Sequence, residues 1–164
     1  MLIHDGIPTK DDIQKVMPSP ERFAEGPVAI AECFQQIPCN PCTKACAKKA
    51  IRVEPDINAV PEGDFSVCNG CGACIFRCPG LAIFVVDMTY KEDKALVRLP
   101  FEYLPLPEEG QQAMGLNRAG EELGYFPVVK AISGGKKNKT YVISLEVPKE
   151  LAMEVRSIRA GGYR

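Results

Sequence analysis

Hydrophobic and polar positions alternate most clearly near the end of the chain, between Thr140 and Val147. Tyr141, Ile143, Leu145 and Val147 would lie on one side of an extended chain there. A period of two residues is typical of a β-strand with one buried face. Further strands are predicted at Ile51–Val53, Ala82–Asp87, Ala95–Leu99 and Phe126–Ile132, with Lys91–Lys94 as a hairpin tip and turns at Asn117–Gly120 and Ser133–Lys139.

Two short helices are predicted near the ends of the chain. The first runs from Lys10 to about Met17, with Thr9 as its N-cap and two aspartates in its first turn. The second covers Lys149–Ile158, follows Pro148, and would partly bury four apolar side chains on one face. The four are Leu151, Met153, Val155 and Ile158.

The composition is that of an ordinary globular protein. The 164 residues carry a formal net charge of −1, with 46% hydrophobic and 25% charged side chains. A general nucleic-acid binder would usually be basic. The longest apolar run, Leu81–Val86, is far shorter than the roughly 20 residues that a membrane-spanning helix needs. The N-terminal residues show no export signal, so a cytoplasmic protein without a membrane span is predicted.

All eight cysteines lie between Cys33 and Cys78. This clustering predicts that they serve one purpose in one region, as disulfides, zinc ligands or iron–sulfur cluster ligands. Disulfides fit poorly because nothing marks the chain for an oxidising compartment. Zinc sites usually present cysteines as separated C-x2-C pairs. The second group, Cys68, Cys71, Cys74 and Cys78, instead has the spacing C-x2-C-x2-C-x3-C-P. That spacing is typical of proteins with two iron–sulfur clusters, in which the fourth cysteine ligates the neighbouring cluster.

The first group of cysteines repeats this unit. Its members are Cys33, Cys39, Cys42 and Cys46, with the spacing C-x5-C-x2-C-x3-C. A shift of 32 positions places Cys39, Cys42, Cys46, Ala50 and Ile51 on Cys71, Cys74, Cys78, Ala82 and Ile83. The first copy differs in its longer leading turn and in having Ala47 where the second has Pro79. Two copies of one unit indicate a two-cluster ferredoxin core.

These two motifs resemble the bacterial dicluster ferredoxins, and the resemblance implies two 4Fe-4S clusters that exchange their fourth cysteines. The first cluster would take Cys33, Cys39, Cys42 and Cys78, and the second Cys68, Cys71, Cys74 and Cys46. The implied fold class is α+β, with a ferredoxin-like dicluster domain over residues 33–90. An extended N-terminal arm (1–32) would precede it. A small antiparallel β-barrel-like docking domain with the C-terminal helix (91–164) would follow.

A longer stretch, ERFAEGPVAIAECFQQIPCNPCTKACAKKAI, resembles the iron–sulfur subunits that accompany FAD-dependent amino-acid or imino-acid (proline-type) dehydrogenases of anaerobic bacteria. That resemblance implies a hetero-oligomeric complex, in which a flavoprotein subunit oxidises a C–N bond and this chain relays single electrons. Apolar side chains of the arm are expected to contact the partner, namely Ile7, Ile13, Val16, Met17 and Phe23.

No catalytic residues are predicted. His4 is the sole histidine, and the chain has neither a Walker-type phosphate loop nor a G-x-G-x-x-G motif. A cluster held by four thiolates has no open coordination position, so the chain alone is expected to pass electrons rather than convert a substrate. Two alternatives stay open, a free-standing ferredoxin shuttle and an iron–sulfur nucleic-acid or regulatory module. The second would use a basic loop at Lys136, Lys137 and Lys139.

Overall fold

Short helices occupy the first part of the chain, and strands make up most of the rest. The computed structural model describes residues 2–164. The helices are α1 (Leu2–Asp5), α2 (Lys10–Val16), α3 (Pro20–Ala24) and α4 (Pro41–Ala45), with 3₁₀ helices at Ile75–Arg77 and Lys149–Leu151. The strands are β1 (Val28–Ala31), β2 (Ile51–Arg52), β3 (Glu62–Gly63), β4 (Ile83–Asp87), β5 (Lys94–Phe101), β6 (Gln112–Leu116), β7 (Glu122–Ser133), β8 (Tyr141–Pro148) and β9 (Ser157–Ile158). None of the helices in residues 2–164 has the length and apolar character that crossing a lipid bilayer requires.

Seven of the described strands form one antiparallel sheet in the order β1-β4-β5-β8-β7-β6-β9, while β2 pairs with β3 alone. Strand β8 lies at the centre, where Leu145 is paired with Val97 on one side and Val128 on the other. The end strands β1 and β9 do not pair with each other within residues 2–164. The described sheet is therefore open in its strand order, and the expected barrel-like arrangement is not confirmed.

The sheet joins parts of the chain that are far apart in sequence. Strand β1 pairs with β4, with Val28 opposite Val86, and β4 pairs in turn with β5, with Val86 opposite Val97. The hairpin tip predicted at Lys91–Lys94 is confirmed, since the Lys91 N–H donates to the Lys94 carbonyl at 3.1 Å. One sheet thus contains strands from residues 1–32, 33–90 and 91–164 alike.

The two faces of the sheet bury different sets of side chains. In β4, Phe84 and Val86 contribute to the main core, whereas Ile83 and Val85 join a second apolar cluster on the other side. The second cluster also contains two of the cysteines, Cys42 and Cys74, together with Ile51, Ile75 and Val142. The sheet therefore forms the floor of most of the cysteine region, while Cys68 packs against the main core.

The prediction of a C-terminal helix over Lys149–Ile158 is wrong. A 3₁₀ helix ends at Leu151, and Ser157–Ile158 form strand β9 beside β6. The Arg156 backbone N–H donates to the Leu116 carbonyl at 2.9 Å, so this segment pairs with β6 instead of coiling. Val155 and Ile158 are buried as expected, Val155 directly after a turn in which its N–H donates to the Leu151 carbonyl at 3.0 Å, and Ile158 in β9.

The N-terminal arm confirms one prediction and corrects another. Helix α2 begins after Thr9, whose hydroxyl accepts the Asp12 N–H at 3.2 Å, while the Asp12 carboxylate accepts the Thr9 N–H at 2.9 Å. Some of the apolar side chains that were expected to contact a partner pack within this chain instead. Phe23 is buried in the main core, and Val16 and Met17 pack against it.

Candidate iron–sulfur site

The eight cysteines lie around two separate hollows. The first hollow is part of a cavity of about 540 Å³, and the second is smaller and more enclosed. The first is lined by Cys33, Cys39, Cys42 and Cys78, and the second by Cys46, Cys68, Cys71 and Cys74. Each hollow thus collects three cysteines of one sequence motif and the last cysteine of the other motif.

Short helices between the cysteines produce this exchange. Cys46 directly follows helix α4, and Cys78 directly follows the 3₁₀ helix Ile75–Arg77, which contacts α4. At both cysteines the backbone leaves the helix in an extended conformation, with φ/ψ of −85°/100° and −78°/109°. Each motif therefore ends with a thiol that lies at the hollow of the neighbouring motif.

The sequence repeat is also a repeat of backbone structure. Lys49 and Leu81, 32 positions apart, both adopt a positive φ, of 54° and 51°. Their N–H groups donate to the carbonyls of Cys46 and Cys78 at 3.0 and 3.2 Å. A left-handed conformation is uncommon for residues other than glycine. Its occurrence at matched positions shows that both copies make the same turn after the last cysteine.

Backbone N–H groups point at three of the cysteine sulfurs. The Ala50 N–H donates to Cys46 Sγ at 3.2 Å, and at the matched position the Ala82 N–H donates to Cys78 Sγ at 3.4 Å. The Ala29 N–H, from strand β1, donates to Cys68 Sγ at 3.4 Å. Such hydrogen bonds stabilise negative charge on sulfur and tune the potential of a bound cluster.

Burial and mutual repulsion keep several of these thiols protonated in the absence of a metal. Burial raises the pKa of Cys33 and of Cys42, and negative charge on Cys78 raises both further. Burial raises the pKa of Cys74 to about 12, with contributions from the other three cysteines of its hollow, Cys46 included. Each group is therefore coupled electrostatically across the two motifs, and metal binding has to release these protons.

A buried ion network forms part of the wall of the first cavity. The Glu32 carboxylate accepts hydrogen bonds from Arg118 Nε at 2.8 Å and Nη2 at 2.6 Å, and from Arg156 Nε at 2.7 Å. All three side chains are less than one-tenth exposed. Burial by itself would raise the pKa of Glu32, but the two guanidinium groups lower it on balance. The network thus connects Glu32, the residue before Cys33, to the turn that contains Arg118 and to the C-terminal segment that contains Arg156.

The loop that carries the second cysteine motif is packed tightly against the N-terminal arm. Gly70 has a φ of 66°, and a Cβ added there would lie 2.5 Å from Pro27 Cβ. Arg22, from α3, donates to the carbonyls of Phe65 at 2.7 Å and Cys68 at 2.7 Å. From the opposite side, Arg98 of β5 donates to the Gly70 carbonyl at 2.9 Å. Only glycine at position 70 allows the loop to lie this close to Pro27.

The cysteines of the site can be predicted from the sequence, whereas the buried glutamate and the arginines around them cannot. Ile51 and Ile83 pack beside the cysteines as expected. Arg118 lies in the turn predicted at Asn117–Gly120, where nothing in the local sequence indicates a contact with Glu32. Arginines that act across more than 60 positions in sequence carry no spacing signal, so these residues could only be found from the fold.

The donor sets fit 4Fe-4S clusters, because each hollow offers four cysteine sulfurs, the ligand set of such clusters. All eight cysteines are free thiols. Across residues 2–164, no three histidine, cysteine or acidic side chains are arranged to hold a single metal ion. The cysteines would hold the clusters, and the N–H donors would stabilise the sulfur charge.

Comparison with protein families gives the class of the site. Residues 61–84 match the model of the 4Fe-4S binding domain, and this segment contains the whole second motif from Cys68 to Cys78. The chain therefore contains a ferredoxin-type 4Fe-4S binding domain set against a mostly antiparallel sheet.

The chain is similar to proteins named "Ferredoxin-type protein NapF". That of Haemophilus influenzae is 39% identical over 61 residues, which are 36% of this chain and 35% of the relative. That of Escherichia coli strain K12 is 34% identical over 64 residues, 38% of each chain. The similarity thus spans little more than a third of these relatives' length. No solved structure matches the chain at a significant level.

Proposed function

We propose that this protein relays single electrons through two 4Fe-4S clusters, one in each hollow. The observation that carries the proposal is the exchange of the fourth cysteine, which gives each hollow four sulfurs although each motif places three at its own hollow. When bound, a 4Fe-4S cluster accepts and returns one electron. The similarity to ferredoxin-type proteins supports electron transfer as the role of the clusters.

The chain's own residues hold and insulate the clusters in this proposal. Cys33, Cys39, Cys42 and Cys78 would ligate the first cluster, and Cys46, Cys68, Cys71 and Cys74 the second. Ile83 closes the floor of the first hollow, and Ile51 lines the second. Apolar walls limit water access, which favours electron exchange without side reactions. The exposed Cys71 places one edge of the second hollow at the surface.

Metal content and spectroscopy test the number of clusters. Anaerobically prepared protein should contain about eight irons and eight sulfides, four of each per cluster. It should show broad visible absorbance that dithionite bleaches. A folded protein with about four irons would contradict the two-cluster proposal, and a folded protein without iron would overturn the proposed function.

Paired cysteine variants test the exchange of ligands. Cys39→Ala and Cys71→Ala serve as references, because each removes a ligand that lies within its own motif in either arrangement. Cys46→Ala should then reproduce the electron paramagnetic resonance spectrum of Cys71→Ala, and Cys78→Ala that of Cys39→Ala. If Cys46→Ala instead matches Cys39→Ala, each motif binds its own cluster and the proposed assignment is wrong.

The partner proposed for this relay is a flavoprotein oxidoreductase in the cytoplasm, with an amino-acid or imino-acid dehydrogenase as the specific candidate. Its support is the sequence resemblance of residues 21–51. Isolation of the untagged protein from its source under anaerobic conditions tests it. Co-purification of a flavin-containing subunit is expected, whereas a solitary monomer would favour a free-standing ferredoxin shuttle.

A further inference from the structure

Two arginine side chains contact the second cysteine loop without an acidic partner. Arg22 donates to four backbone carbonyls, those of Gly26, Pro27, Phe65 and Cys68, at 2.7 to 3.1 Å. Within residues 2–164 it forms no ion pair with a carboxylate. Its positive charge is therefore fixed against the loop, with the Cys68 carbonyl as its nearest link to a cysteine.

Arg98 holds the same loop from the sheet side. Its Nη1 donates to the Gly70 carbonyl at 2.9 Å and lies 3.8 Å from the position that a Cβ on Gly72 would occupy. Among the described residues it has no carboxylate partner either. Gly70 and Gly72 flank Cys71, so the Arg98 guanidinium lies against the loop that carries the second motif.

The first hollow has a different electrostatic surrounding. Its two nearby arginines, Arg118 and Arg156, share hydrogen bonds with the buried Glu32 carboxylate, which offsets part of their charge. Glu154 lies 3.8 Å from Arg118 and offsets more. The backbone N–H contacts follow the same order, since two reach sulfurs of the second group, on Cys46 and Cys68, and one reaches the first group.

We propose that Arg22 and Arg98 raise the reduction potential of the second cluster above that of the first. Reduction adds one negative charge to a cluster, and an uncompensated cation at close range stabilises that charge. A single electron given to the loaded protein by a one-electron donor therefore resides on the second cluster, at the hollow whose edge is exposed through Cys71. This inference rests on the proposed function and adds an order to it, with the second cluster reduced before the first.

A redox titration of the loaded protein, followed by electron paramagnetic resonance, tests the proposal. Arg22→Gln and Arg98→Gln should each lower the higher of the two potentials and leave the lower one in place. Removal of one positive charge from the loop is expected to change the equilibrium constant for reduction by about tenfold, which corresponds to about 59 mV for one electron. Arg98→Lys keeps the charge and should recover most of the shift, which a purely structural role of the arginine would not do.

Arg159→Gln is the matched control, because its guanidinium pairs with Glu122 in the β6–β7 hairpin. It should move neither potential. The single-cluster variants Cys39→Ala and Cys71→Ala assign the two potentials, and the former should retain the higher one. If those variants do not fold, the arginine variants still decide the question in the intact cysteine background.

The outcomes separate this inference from the proposed function. Two loaded clusters whose higher potential is unaffected by both Arg→Gln changes would overturn the inference and leave the relay intact. The same holds if the lower potential moves instead. A folded protein that binds no cluster would overturn the proposed function itself.

Discussion

Glu32 is one of the residues that connect the cysteine region to the C-terminal part of the sheet. Its carboxylate balances Arg118 and Arg156, and all three side chains are buried. Removing one partner of a buried ion network leaves an uncompensated charge and costs about 3 kcal/mol or more. The network is therefore expected to be a main determinant of stability beside the first hollow.

The variant Glu32→Gln measures that contribution. It keeps the shape of the side chain but leaves the buried Arg156 without an anion and Arg118 with only the half-exposed Glu154 at 3.8 Å, so the protein should lose about 3 kcal/mol. For a chain of this size the melting temperature should fall by about 6–12 °C, measured anaerobically on the loaded protein. Glu154→Gln is the control, since that carboxylate is 54% exposed and lies 3.8 Å from Arg118, and it should cost less than about 0.5 kcal/mol. Equal effects of the two changes would contradict the importance of burial.

At the scale of elements, the start and the end of the N-terminal arm are expected to contribute unequally to stability. Helix α1 has no buried residue. Strand β1, in contrast, covers one edge of β4 and buries Val28 and Ile30 completely. An uncovered β4 would expose unpaired backbone groups and apolar side chains, which favours aggregation.

Two truncations test this division of the arm. A chain that starts at Thr9 should remain soluble and melt within a few degrees of the full-length protein. A chain that starts at Glu32 lacks β1, Arg22 and Phe23, and it should be insoluble or fail to melt cooperatively. Solubility and circular dichroism melting distinguish the two. A stable shorter chain would show that β1 is an accessory strand.

The elements also show which features a sequence can predict. The cysteine repeat and strand β8 can be predicted from local spacing. The regular spacing of the cysteines and the two-residue period of apolar side chains in β8 are visible in the sequence without the rest of the fold. Residues 149–158 have an apolar pattern that suits a helix. However, the buried Arg156 side chain donates to the Ala152 and Val155 carbonyls and to Glu32, and the segment ends as a strand beside β6. Such long-range contacts outweigh local propensity, and strand β1 was missed for the same reason.

At the scale of the whole molecule, the cysteine region shares its sheet with strands from the rest of the chain. Strand β4 has β1 on one side and β5 on the other, and both lie outside residues 33–90. In addition, Asn138 in the turn between β7 and β8 donates to the carbonyl of Phe76, within the second motif, at 2.6 Å. The loops that carry the cysteines are thus held by residues from nearly the entire chain.

The isolated segment 33–90 is therefore expected not to fold. It keeps all eight cysteines but loses both neighbours of β4 and most of the main core. After anaerobic reconstitution it should bind iron in a low and variable amount and show no cooperative thermal transition, unlike the full-length protein treated in parallel. A well-dispersed nuclear magnetic resonance spectrum from the loaded segment would contradict this expectation.

The central position of strand β8 has a consequence for how the protein is made in the cell. Residues 141–148 are synthesised more than 60 residues after Cys78, yet they pair with β5 and β7 and complete the middle of the sheet. The nascent chain consequently exposes all eight thiols before the floor beneath them exists. Delivery of iron and sulfide is therefore expected to follow synthesis of β8, and until then the thiols depend on a reducing environment to escape oxidation.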